Sequence, residues 1–69
     1  MEIRHFKLIK TVAEDQNLTK AADKLFLSQS ALSHQLKEIE QAYHTQFFVR
    51  VNKKMVLTPS GHRLLESAT

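Results

Sequence analysis

Asn17-Leu18-Thr19-Lys20-Ala21-Ala22-Asp23-Lys24-Leu25-Phe26-Leu27-Ser28-Gln29-Ser30-Ala31-Leu32-Ser33-His34-Gln35-Leu36 is the stretch on which the fold turns. Leu18, Ala21, Ala22 and Leu25 recur at i, i+3, i+4 and i+7, which predicts a short helix over about 18–25 with one buried face. Asn17 precedes it as an N-cap, a side-chain oxygen able to accept an orphan N–H of the first turn. The adjacent alanines let a second helix approach closely. Phe26-Leu27 breaks the pattern, and Ser28 caps a helix running from Gln29 to about Tyr43. Its Leu32, Leu36, Ile39 and Tyr43 project on one side. Ser30, Ser33, His34, Lys37 and Gln41 gather on the other, while Gln29 lies nearer the seam in the first turn. Two helices joined by so tight a turn, with Leu27 plugging it, form a helix-turn-helix layout.

Toward the N-terminus, Ile3, Phe6, Ile9 and Ala13 share one face of a helix predicted over 3–15, and Leu8 and Val12 form a second stripe. Two stripes imply two contacts, one with the domain core and one with something outside it. Toward the C-terminus, residues 46–51 and 55–57 are β-prone runs around the turn-like Asn52-Lys53-Lys54, a small hairpin that must lean on the helices. Thr58-Pro59 starts a last helix, Thr as N-cap and Pro at its first position. That helix carries Leu64, Leu65 and Ala68, and its pattern runs uncapped to Thr69, which predicts a longer helix continuing beyond it.

Sixty-nine residues suffice for one small domain whose core is marginal without a staple. The absence of cysteine excludes disulfides and cysteine-ligated metal. No apolar run approaches the length of a membrane span, and an amphipathic N-terminal segment carrying Glu2 does not resemble a signal peptide. A soluble, cytoplasmic setting is the default expectation. Residues 1–46 carry equal numbers of acidic and basic side chains. The net charge of +3 therefore resides in 47–69, where Arg50, Lys53, Lys54 and Arg63 face Glu66 alone. A compact basic segment beside a balanced body points to a local anionic partner.

A polar helix face held outward and followed by a basic hairpin is the winged helix-turn-helix arrangement. The major groove of DNA accepts such a helix, and the wing's lysines approach phosphate or the minor groove. The rival reading is a protein–protein interaction module that keeps the shape without using DNA. His5, His34, His44 and His62 show no paired ligand spacing, so no metal site is expected. The serines beside His34 lack an oriented acid and an oxyanion loop, so no enzyme is expected either.

Thr19-Lys20-Ala21-Ala22-Asp23-Lys24-Leu25, Leu27-Ser28-Gln29-Ser30-Ala31-Leu32-Ser33-His34-Gln35-Leu36, Glu40, Phe47-Phe48-Val49-Arg50 and Leu57-Thr58-Pro59-Ser60-Gly61 together resemble the N-terminal DNA-binding domain of LysR-type bacterial transcriptional regulators. The resemblance runs from Ile3 to about Leu65. It implies a winged helix-turn-helix domain over 1–57, with the recognition helix at 28–43 and the wing at 47–57. It also implies the start of a linker helix at 58–69, with an effector-binding domain absent from this stretch. The DNA-contacting positions would be Thr19, Lys20, Ser28, Gln29, Ser30, Ser33, His34, Lys37, Arg50, Lys53 and Lys54, with Ser28 more a cap than a base reader. Leu8, Val12, Leu64, Leu65 and Ala68 would serve dimerisation. The partners implied are double-stranded DNA with a pseudo-palindromic site and further copies of the chain, as dimer or tetramer. The location implied is the cytoplasm, on the nucleoid. No cofactor is expected within these residues, and a small-molecule effector would bind the other domain. The chain departs from the family's pattern with Ser30 for a usual proline, His34 for a frequent arginine and lysine at the Lys53 wing tip. It also has Tyr43-His44 for Leu-Gly and Gln16 for a frequent glycine after the first helix.

Overall fold

The computed structural model describes residues 3–67. Its elements are α1 (Ile3–Asp15), α2 (Leu18–Lys24), α3 (Gln29–Ala42), β1 (Phe48–Val51), β2 (Lys54–Leu57) and α4 (Pro59–Ser67). This is the mainly helical, winged helix-turn-helix arrangement expected from the sequence. Both caps form as read: Asn17 Oδ1 accepts from the Lys20 N–H and Ser28 Oγ from the Ala31 N–H, each at 3.1 Å. Leu18, Ala21 and Ala22 of α2 and Leu32, Leu36 and Ile39 of α3 are buried, with Leu25 and Leu27 packed against them. Ile9, Val12 and Leu32 are the largest fully enclosed side chains.

Burial on α1 cuts across the two stripes. Leu8, Ile9 and Val12 are buried, whereas Ile3 is 87% exposed and Phe6 and Ala13 are only half-buried. The helices pack over the arc centred on Ile9 and its neighbours at i−1 and i+3, not over the line from Ile3 to Ala13. Leu8 and Val12 are thus core residues with no surface to offer a second subunit, and their expected dimerisation role is corrected. Tyr43 also departs from expectation. α3 ends before it, and the residue stands 44% exposed as C-cap, its ring 6.4 Å from that of Phe47. Leu64 and Leu65 are half-buried against the core. Glu2 and Ala68 lie outside the described residues.

The first three helices each stop on a left-handed residue that is not glycine: Gln16 (φ 52°), Phe26 (φ 58°) and His44 (φ 51°). After α2 and α3 the hydrogen bonds are those of a Schellman motif: Leu27 N–H to Ala22 C=O with Phe26 N–H to Asp23 C=O, and Thr45 N–H to Glu40 C=O with His44 N–H to Gln41 C=O. After α1 a single Gln16 N–H to Val12 C=O bond closes the end. Satisfying the last carbonyls holds these residues in a conformation that costs an L-amino acid roughly 1–2 kcal/mol. Lys24 Nζ bonds Asp15 Oδ1 at 2.9 Å and ties the end of α2 back to α1. That carboxylate pushes the Lys24 pKa up.

Four devices mount the hairpin. The Glu40 carboxylate accepts from two consecutive amides, Phe47 N–H at 2.7 Å and Phe48 N–H at 3.2 Å. Met55 N–H donates to Gln16 C=O at 3.1 Å, joining the outer edge of β2 to the α1–α2 turn. The Thr58 hydroxyl accepts from Gly61 N–H at 3.1 Å and donates to Gln46 C=O at 2.6 Å. Gly61 lets α4 approach: a Cβ there would stand 2.5 Å from the Phe47 carbonyl oxygen and 2.6 Å from Leu57 Cδ2. β1 and β2 pair antiparallel, Phe48 opposite Leu57 and Val51 opposite Lys54. Asn52 and Lys53, both at positive φ (48° and 68°), make the two-residue loop that matches strand twist.

Candidate nucleic-acid interface

The N-terminus of α3 and the inner face of the wing border an open groove of about 560 Å³ lined by Leu18, Gln29, Ser30, Ser33, Arg50 and Met55. Gln29, Ser30 and Ser33 reach it because they occupy the first turn and the start of the second on the face away from Leu32 and Leu36. Arg50 joins them through strand alternation. It stands two residues from buried Phe48 and opposite Met55, on the face of β1 that turns toward the helices. Four residues expected at the interface are thereby brought into one groove. Thr19, exposed at the start of α2, reaches the same place: its hydroxyl donates to Gln29 Oε1 at 3.2 Å. Lys20 is exposed beside it, and the Ser28 hydroxyl is engaged as the cap of α3.

Lys53 and Lys54 are exposed at the wing tip. Lys53 occupies the second loop position, where glycine is the easy choice, and carries its charge there despite the backbone penalty.

Two expected contacts lie apart from the groove. Lys37, one turn beyond Ser33, is exposed and borders a separate depression of about 380 Å³ with Glu40, Gln41, His44, Thr45 and Gln46. His34 Nε2 lies 2.9 Å from Glu38 Oε1, one turn along α3. Both side chains are largely exposed, so the pair adds little stability. Beside it opens a cleft of about 580 Å³ shared with Arg4, His5, Gln35, Ile39, Ala42 and Tyr43. The structure therefore places His34 toward α1 and away from Arg50.

Spacing alone did not find Leu18 and Met55 as groove walls, or Glu40 as the wing's anchor. A carboxylate late in α3 carries no local signal of its role, because its partners lie seven and eight residues on.

Residues 3–62 match the model of the bacterial regulatory helix-turn-helix proteins of the lysR family. The chain is 38% identical over 68 residues to the HTH-type transcriptional regulator YkuM of Bacillus subtilis (strain 168), covering 99% of this chain and 23% of that protein. It is 40% identical over 62 residues to the HTH-type transcriptional regulator BenM of Acinetobacter baylyi, covering 90% of this chain and 20% of the relative. The crystal structure of the BenM DBD in complex with benA site 1 DNA superposes with a TM-score of 0.89 at 38% identity, over 99% of this chain and 76% of that one. The chain thus spans about a fifth to a quarter of the length of these curated relatives.

Proposed function

Because the chain belongs to the lysR family of bacterial regulatory helix-turn-helix proteins, we propose that it binds double-stranded DNA sequence-specifically as the reading head of a transcription regulator. The observation that carries this reading is the groove in which Gln29, Ser30 and Ser33 of α3 meet Arg50 of the wing. It occurs in a chain that superposes on a domain crystallised with DNA. α3 enters the major groove with its first turn leading. Gln29 is placed to read a base edge, and Ser30 and Ser33 to contact bases or the near strand. Lys20 approaches the backbone from the start of α2, and Arg50, Lys53 and Lys54 hold flanking phosphates or the minor groove. Phosphate contacts supply much of the affinity, and base contacts supply the choice of site. His34 and Lys37 stand at the margin of this footprint and add charge to it. The domain is part of a regulator, not an enzyme.

Residues 1–57 form the reading unit, and 58–69 begin the helix that links it to an effector-binding domain and pairs two copies. Leu64 and Leu65, half-buried against their own core, retain the surface for that pairing. Two copies read half-sites one or more helical turns apart, about 34 Å per turn, in a pseudo-palindrome, in the cytoplasm on the nucleoid. Among the described residues no helix is long and apolar enough to cross a membrane.

Titration of duplex DNA at two salt concentrations tests the reading. Binding is expected to weaken linearly in log–log terms as salt rises. Lys53→Ala should weaken binding to all sequences alike and make the slope shallower by about one. No binding at low salt, or binding without a salt slope, would overturn it.

A further inference from the structure

Phe47, only 6% exposed, is held from two sides by parts of the chain that lie far apart in sequence. Its N–H donates to the Glu40 carboxylate of α3 at 2.7 Å, and its C=O accepts from the N–H of Thr58, the residue before α4, at 3.0 Å. The Thr58 hydroxyl widens this joint, donating to Gln46 C=O at 2.6 Å and accepting from Gly61 N–H at 3.1 Å. The hydroxyl's two backbone partners fix its sense, because a carbonyl only accepts and an amide N–H only donates. Beneath the joint there is no slack: a Cβ on Gly61 would stand 2.5 Å from the Phe47 carbonyl oxygen. β1 begins at the next residue, Phe48, and runs to the loop that carries Lys53. At about 3.3 Å per residue the loop lies about 16 Å beyond Phe47, so a turn of about 5° at the root displaces the tip by about 1.4 Å. A hydrogen bond does not keep its strength over such a distance.

Resting on the DNA-binding reading above, we propose that Thr58 is a positioning residue that holds the wing for DNA from the α4 side, so that the wing's contact with DNA and the start of α4 are coupled. α3 and α4 fix the wing root jointly through Phe47, and slackening the α4 side lets the tip wander. Gln29, Ser30 and Ser33, at the far end of α3 from Glu40, are unaffected. The coupling is reciprocal: a duplex that holds the tip also steadies the start of α4.

A double-mutant cycle on DNA affinity tests this. Thr58→Val keeps the shape and removes both hydroxyl bonds, and Lys53→Ala with Lys54→Ala removes the charge of the tip. The loss of affinity on removing the tip is expected to be about two- to tenfold smaller in the Thr58→Val background than in the unaltered chain. Thr58→Ser should restore the full loss. Ile9→Val, a core change on α1 that lowers stability, should leave it whole. An undiminished tip contribution in Thr58→Val, or an equal reduction in Ile9→Val, would overturn the proposal. Hydrogen exchange in saturated complexes reads the reciprocal effect without any change at Thr58. DNA should slow exchange at Gly61 in the unaltered chain and not in the tip variant, and equal protection in both overturns the coupling. Exchange in the free chain reads the joint without DNA: Thr58→Val should speed it at Phe47 and Phe48, and Thr58→Ser should not. Unchanged exchange there removes the joint. Failure of the unaltered chain to bind any duplex overturns the DNA-binding reading and the wing's role with it, while the free-chain exchange still decides whether α4 holds the wing root.

Discussion

The helix-turn-helix half and the wing half of this molecule are held by different forces. Residues 17–36 are assembled by periodic apolar burial around Ile9, Val12 and Leu32, with two side-chain caps at helix starts. Residues 46–61 contribute fewer buried side chains. Directed hydrogen bonds secure them: the Glu40 carboxylate on Phe47 and Phe48, the Gln16 carbonyl on Met55, and, within the segment, Thr58 on Gln46 and Gly61. Burial is non-directional and tolerates small shifts. A hydrogen-bonded mount is directional, and losing one partner leaves the other unsatisfied. α3 is therefore positioned by volume, and the wing by geometry.

Ile9→Ala is expected to have the largest effect, about 2–5 kcal/mol of global stability, because it opens a cavity at the centre of the helical half. Chemical denaturation measures it, and a loss below 1 kcal/mol would show that the core collapses around the gap. Glu40→Ala tests the other half. It removes a charged acceptor from two amides and should cost about 1.5–3 kcal/mol, with hydrogen exchange rising at Phe47 and Phe48 before it rises in α2. Simultaneous exchange everywhere would dissolve the distinction between the halves. Gly61→Ala should cost about 1–3 kcal/mol, since its methyl would collide with the Phe47 carbonyl and force α4 away from the wing. An unchanged melting temperature would show that α4 yields freely. His44→Gly is the smallest change and has the opposite sign. Relieving the left-handed penalty after α3 should stabilise by roughly 1 kcal/mol or less, reduced by glycine's greater freedom when unfolded.

The same contrast explains what the sequence reveals. Periodicity and caps located α1, α2, α3 and the Thr58-Pro59 start almost to the residue, because those signals are local. The burial of α1 was misassigned because two apolar stripes on one helix do not say which neighbour covers which. That depends on how α2 and α3 dock. Gln29, Ser30, Ser33 and Arg50 were legible as interface candidates from helix phase and the family's pattern. The Thr19–Gln29 bond and the Glu40 mount were not, since each joins residues that only the folded turn brings together. His34 shows the reverse limit: its phase suggests the reading face, but a carboxylate one turn on gives it a partner at the margin.

The Glu40 mount also has a mechanical consequence. α3 carries both Gln29, Ser30 and Ser33 at its start and, near its end, the carboxylate that grips the root of the wing. Bolted together this way, helix and hairpin act as the jaws of a caliper set to one opening. On the proposed DNA-binding reading, a duplex whose grooves match that opening would be gripped at both places at once. A duplex with another width or curvature must itself deform to fit, at an energy that depends on its sequence. Base pairs that no side chain touches would then be measured as well as any that the start of α3 contacts.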